Sequence, residues 1–184
     1  MSDVLAYLSH SDGTLDEAAR SLLAFARELA RRRGAALYAV AAGPGAEAAA
    51  REAAGLGAQT AYAAERGLSD RFVAAERRAA VERAVEASGA SLVCVAADGD
   101  GAELVGRLAA RLDGAAVTEV TGMEEEDGTL IWRRPVYGGK AVGLFEGLAE
   151  RTVLAVREEA VRGLDAGPVP GSPEGQVATL ELNG

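Results

Sequence analysis

Val4-Leu5-Ala6-Tyr7-Leu8, followed shortly by Thr14-Leu15-Asp16-Glu17, sets the reading of the fold. The first run is short, continuously apolar and free of polar alternation, which is the signature of a parallel strand buried on both faces. The second has capping-box spacing, so a helix is predicted to start there. Leu15, Ala18, Leu22, Ala26 and Leu29 then recur every three or four residues, giving the helix one apolar face. Arg31, Arg32 and Arg33 place cations at its carboxyl end, and Gly34 can stop it.

The same alternation continues along the chain. Residues 35–41 read as a second strand, and Gly43-Pro44-Gly45 turns into a helix ending near Gly55. Residues 59–63 read as a third strand, and Ser69 is placed to cap a third helix that runs to Gly89 with Phe72, Val81 and Val85 as anchors. Residues 91–96 form a fourth strand. Asp100 and Glu103 open a fourth helix, with Leu104, Leu108 and Leu112 facing the sheet. Beyond Gly114 the pattern changes: residues 115–126 and 129–134 flank Asp127-Gly128, a strong hairpin signal. Residues 140–145 and 152–156 look like further strands. The expected fold is α/β, a doubly wound and mostly parallel sheet with an antiparallel hairpin addition. Residues 1–162 form the domain. Residues 163–184 read as a linker-like tail, rich in Gly and Pro from Gly167 to Pro173, with one possible strand at 176–182.

Composition narrows the function. The chain has 184 residues and 49% hydrophobic content, enough for one domain that buries roughly 70% of its unfolded surface. A formal net charge of -9 disfavours nucleic acid and anionic membrane as partners, since both require a basic face. Lys140 is the sole lysine beside eighteen arginines, which reads as GC-rich coding. Cys94 is the only cysteine, so no internal disulfide forms and a reducing compartment fits. With no signal peptide and no apolar run of membrane-spanning length, a cytoplasmic location is expected.

No catalytic constellation emerges. Gly43-Pro44-Gly45-Ala46-Glu47-Ala48 matches G-x-G-x-x-A before a helix, and Glu65 stands roughly where a ribose-binding acid would. However, Pro44 removes an N–H, and the motif follows the second strand rather than the first. Asp98-Gly99-Asp100-Gly101 lies where ligands bind in such sheets, yet Asp100 as a helix cap explains it better than a metal site. His10 is the only histidine, which excludes a His-paired triad on this chain and suits a solvated or hydrogen-bonded loop position. Cys94 sits in an apolar strand and reads as buried and inert. Trp132, Tyr137 and Phe145, beside Arg133 and Arg134, have the composition of a protein interface. They equally suit packing of the hairpin arm on its own domain.

Several of these segments together resemble the N-terminal domain of the electron-transfer flavoprotein alpha subunit. Over residues 3–160 the matches are His10, Gly13 and Leu15 after the first strand, the Gly43–Ala48 turn, Gly57-Ala58, Leu108–Leu112 and Val153–Arg157. Arg134-Pro135-Val136-Tyr137-Gly138-Gly139 is the most specific. Gly101-Ala102-Glu103 and Leu144–Glu150 depart from the family pattern, and the chain ends where the family's flavin domain would begin. The resemblance implies an adenine-nucleotide alpha-hydrolase-like sheet. It also implies an electron-carrier component rather than an enzyme, acting as scaffold and subunit interface in a heterodimer. FAD would be held mainly by another domain or chain, and the partners would be a beta-like subunit and a flavin-domain chain. No flavin-contacting residue carries over; the candidate interface is Trp132, Arg134 and Tyr137. The alternatives are a small adenine-nucleotide-binding protein of universal-stress type, which should carry a Gly-rich phosphate loop after the fourth strand, and a ligand-free homodimeric scaffold.

Overall fold

The computed structural model describes residues 3–168 and 175–182. The chain runs β1 (Val4–Tyr7), β2 (His10–Ser11), β3 (Thr14–Leu15), α1 (Glu17–Arg33), β4 (Leu37–Ala42), α2 (Ala46–Gly55), β5 (Thr60–Ala64), α3 (Ala74–Ser88) and β6 (Leu92–Ala96). It continues α4 (Gly99–Arg111), β7 (Ala115–Val120), β8 (Gly122–Glu126), β9 (Thr129–Val136), β10 (Ala141–Glu146), β11 (Thr152–Val156), a 3-10 turn over Glu158–Val161, and β12 (Gln176–Thr179). The central sheet has the order β12-β5-β4-β1-β6-β11-β7, and every neighbouring pair is parallel.

All four residues of β1 and all five of β11 are buried, as expected for strands covered on both faces. One face packs under α1 and α2, the other under α3 and α4, so the sheet is doubly wound. The first layer joins Leu22, Phe25 and Leu29 of α1 to the alanine face of α2 (Ala46, Ala49, Ala50, Ala53). Alanine there lets the helix lie close to the strands, which is how an aromatic-poor chain reaches interior density.

Three helix starts differ from the sequence reading. α1 is capped by Asp16, whose Oδ1 accepts from the Ala19 amide at 2.7 Å, while Thr14 pairs in the short β2–β3 hairpin. Asp is the stronger cap here, and it leaves Thr14 free for the turn. α3 begins at Ala74, not near Ser69, because Ser69 donates its amide and hydroxyl to the Glu76 carboxylate (2.8 and 2.9 Å) and holds a loop against the helix. α4 is capped by Asp98, which accepts from the Gly101 amide at 2.7 Å, and Asp100 falls in the first turn. Asp98 lies one residue before the first helical residue, the N-cap position from which a short side chain reaches the amide three residues on.

After β7 the chain leaves the central sheet. β8 and β9 form a hairpin around Asp127-Gly128, both with positive φ, and β10 adds to the outer side of β9 through a second turn at Tyr137–Lys140. The acidic tip is not free: Arg33 at the end of α1 donates to the Gly128 carbonyl at 3.0 Å and lies 3.8 Å from Glu125. The part of the arm that projects is the second turn. The tail returns across the α1–α2 face. Leu164 packs on the core, and Arg27 donates to the carbonyls of Leu56, Asp165 and Gly167. β12 then covers the edge of β5 in parallel, from Gln176 opposite Thr60 to Thr179 opposite Ala63. The Pro170–Pro173 part of the linker-like stretch lies outside the described residues.

Candidate functional site

The strands of the sheet reverse their order of winding between β1 and β6, and the crevice at their carboxyl ends is where such folds bind ligands. A cavity of about 420 Å³ opens there, lined from β1 by Tyr7 and residues 9–12, from β4 by Ala42–Pro44, from the α3 entry by Asp70, Phe72 and Arg77, and by Asp100. Arg77 is 4% exposed. Its Nη2 donates to the carbonyls of Ser69 and Arg71 (2.7 and 3.1 Å), and its Nη1 has no hydrogen-bond partner, with only Glu76 Oε2 in ion-pair range at 3.5 Å. Gly43 makes room for this guanidinium: a Cβ there would stand 2.9 Å from Nη2, at a φ of +110°.

Burial dominates the ionisation of the cavity. It pushes the Tyr7 phenol up to about 12, against the neighbouring Arg77 charge. It lowers His10 below its ordinary value of 6.5; Arg77 adds to this, and the Ala42 carbonyl opposes it without a hydrogen bond of normal geometry to either ring nitrogen. His10 is half-buried, with both ring nitrogens closed off from solvent beside the Ala42 carbonyl, rather than in the solvated loop position its place in the sequence suggested. Burial, then the Asp98 charge, raises Asp100. A second cavity, about 710 Å³, lies between α1 and the β11 exit. Within it Arg157 pairs with Glu119 at 2.6 Å and Glu159 at 3.0 Å.

A phosphate-binding reading meets an obstacle at the helix ends. The amide that Glu47 presents at the start of α2 is taken by Glu65 Oε1 at 2.8 Å. Asp16 and Asp98 occupy the starts of α1 and α4 in the same way. Three of the four helix N-termini therefore already hold a carboxylate where a phosphate would rest. In the Gly43-Pro44-Gly45 turn the second glycine serves packing instead. A Cβ on Gly45 would sit 2.7 Å from the Gly13 nitrogen, so the turn is closed against the β2–β3 hairpin.

The arm presents the other candidate surface. Trp132 is 1% exposed and belongs to the core beneath β9, so it fixes the arm to its own domain. Tyr137, by contrast, is 83% exposed at the second turn with a φ of 52°. Arg134 lies over the Phe145 ring, 5.4 Å from its centroid, a cation–π contact on the strand face. Val142, Leu144 and Leu148 add exposed apolar side chains along or just past β10, whose outer edge is unpaired among the described residues.

Residues 4–182 match the family model described as the electron transfer flavoprotein domain. The chain belongs to this family. No curated protein matches the chain significantly.

Electron transfer flavoprotein domains are associated with flavin and serve electron carriers. The crevice and the starts of α1, α2 and α4 do not fit a flavin dinucleotide, because its pyrophosphate would meet the carboxylates of Asp16, Glu65 and Asp98 at the helix starts and Asp12, Asp70 and Asp100 along the crevice. No described helix is long and apolar enough to cross a membrane. Cys94 is fully buried, and burial pushes its thiol up to about 12. Arg77 escaped the sequence reading. The signal was its place on the helical stripe that continues through Ala80, Val81, Ala84 and Val85, all buried.

Proposed function

We propose that this chain is the alpha-subunit-type module of an electron-transfer flavoprotein, a carrier component rather than an enzyme. It acts as scaffold and subunit interface for an FAD held mainly by another domain or chain, in the cytoplasm. The observation that carries the reading is the exposed apolar face of the unpaired edge strand β10, Val142 and Leu144, with Tyr137 exposed at the turn before it. An apolar edge of this kind invites either aggregation or a partner strand, and a patch flanked by the exposed Arg133 and Lys140 suits a specific protein partner. The partner is a beta-like subunit, with a flavin-bearing domain completing the assembly. Family membership supports the redox role, and the acid-lined crevice supports a flavin seated elsewhere.

The test is co-expression with a beta-type subunit and a flavin-domain chain. The account predicts a stable complex that carries oxidised-flavin absorption, while the chain alone is colourless. Replacing Tyr137 and Leu144 by Asp should abolish the complex without unfolding the chain. Complex formation unchanged by those replacements would contradict the proposal.

A further inference from the structure

The crevice cavity combines two features that complement each other. At its inner end is a cation only partly satisfied: Arg77 is 96% buried, its Nη2 donates to two carbonyls, and its Nη1 donates to nothing among the described residues. At its mouth are three exposed carboxylates, Asp12, Asp70 and Asp100, none within ion-pair distance of a cation among the described residues. A buried guanidinium N–H without an acceptor is costly, so a native fold retains one where something completes it. Glu76 does not do so, since it approaches Nη1 only to 3.5 Å and is engaged by Ser69.

From this arrangement the geometry points to a binding site for a small zwitterion, a free amino acid or a similar molecule, with its carboxylate toward Arg77 and its ammonium among Asp12, Asp70 and Asp100. A simple anion satisfies Arg77 but must pass three carboxylates. A simple amine satisfies the mouth and leaves Nη1 unfilled. Only a ligand with both charges answers both ends. The cavity, about 420 Å³, is within the range of small-molecule sites. Ser9 and Ser11 line the same wall and offer further hydrogen bonds to a polar ligand. Phe72, half-buried in the wall, gives an aromatic surface beside the acids. The site is separate from the arm, so loss of the subunit interface leaves this inference untouched.

The test is a titration of the full chain, followed by amide NMR at residues 9–12 and Gly43. The probes are pools of common L-amino acids, β-alanine, succinate, putrescine and inorganic phosphate. At least one zwitterion should shift these amides saturably, with succinate and putrescine weaker by about tenfold each, the share of one charge-assisted contact. Asp100→Asn, an exposed change that leaves the Asp98 cap in place, should weaken the zwitterion by about tenfold. It should leave succinate no weaker. Arg77→Lys should weaken succinate as well, provided the circular dichroism of the variant is unchanged. Three results would overturn the inference: no saturable shift from any zwitterion, phosphate binding more tightly than every zwitterion, or Asp100→Asn without effect on a bound amino acid.

Discussion

Glu65 and Glu47 are joined by a 2.8 Å hydrogen bond from the Glu47 amide to the Glu65 carboxylate. A side chain on the loop after β5 thereby caps a helix whose N-cap residue, Gly45, has no side chain to do so. The Glu65→Ala variant should lose about 1 kcal/mol in urea denaturation, as for removal of an N-terminal cap. Adding dinucleotide to the native chain should not raise its melting temperature.

Trp132 and Tyr137 lie five positions apart on one arm with opposite roles. Trp132→Ala should cost about 3–5 kcal/mol, because it empties a filled site in the core. Tyr137→Ala should change stability by no more than about 0.5 kcal/mol, as for an exposed residue. Equal effects from the two in chemical denaturation would contradict the assignment of one to packing and the other to a surface.

Gly45 approaches Gly13 too closely for any side chain. A Cβ would stand 2.7 Å from the Gly13 nitrogen, and the residue has a φ of +89°. Gly45→Ala should therefore cost upwards of about 2 kcal/mol in thermal or urea unfolding, more than strain in φ alone.

His10 is the sole histidine, so its titration can be followed without overlap. Burial lowers its pKa below 6.5, so between its folded value and 6.5 the unfolded chain binds more protons than the folded one. Its contribution to stability is complete above 6.5 and is lost as pH falls through that value toward the folded pKa. His10→Gln should flatten the pH dependence of stability in that window. A folded pKa above 6.5 by NMR would contradict the burial described here.

Arg27 fastens the returning tail through two of its carbonyls, Asp165 and Gly167, while also donating to the Leu56 carbonyl at the end of α2. Arg27→Ala should speed amide exchange at Val177 and Thr179 of β12 while leaving β1 and β6 protected.

The alternating strands and helices, the Gly34 stop on α1 and the Asp127-Gly128 hairpin were legible because each rests on local pattern. What escaped depended on contacts distant in sequence. Thr14 and Ser69 have the chemistry of caps, but pairing in a short hairpin and a bond to Glu76 claimed them instead. Trp132 and Tyr137 share composition and arm, and only the packing of β9 on the core separates buried from exposed. Arg77 sits in a run of charges, Glu76-Arg77-Arg78, that reads as solvated until its place on the apolar stripe of α3 is considered. Glu65 stood in a nucleotide-like position for a reason the sequence could not display, the amide it binds eighteen residues earlier.

The most direct test of the central claim is the absorption spectrum of the chain purified alone and purified with a beta-type subunit and a flavin-domain chain. The account predicts flavin bands only in the assembled complex, and loss of that complex when Tyr137 and Leu144 are both replaced by Asp. Stoichiometric flavin on the chain alone, or assembly undisturbed by those replacements, would contradict it.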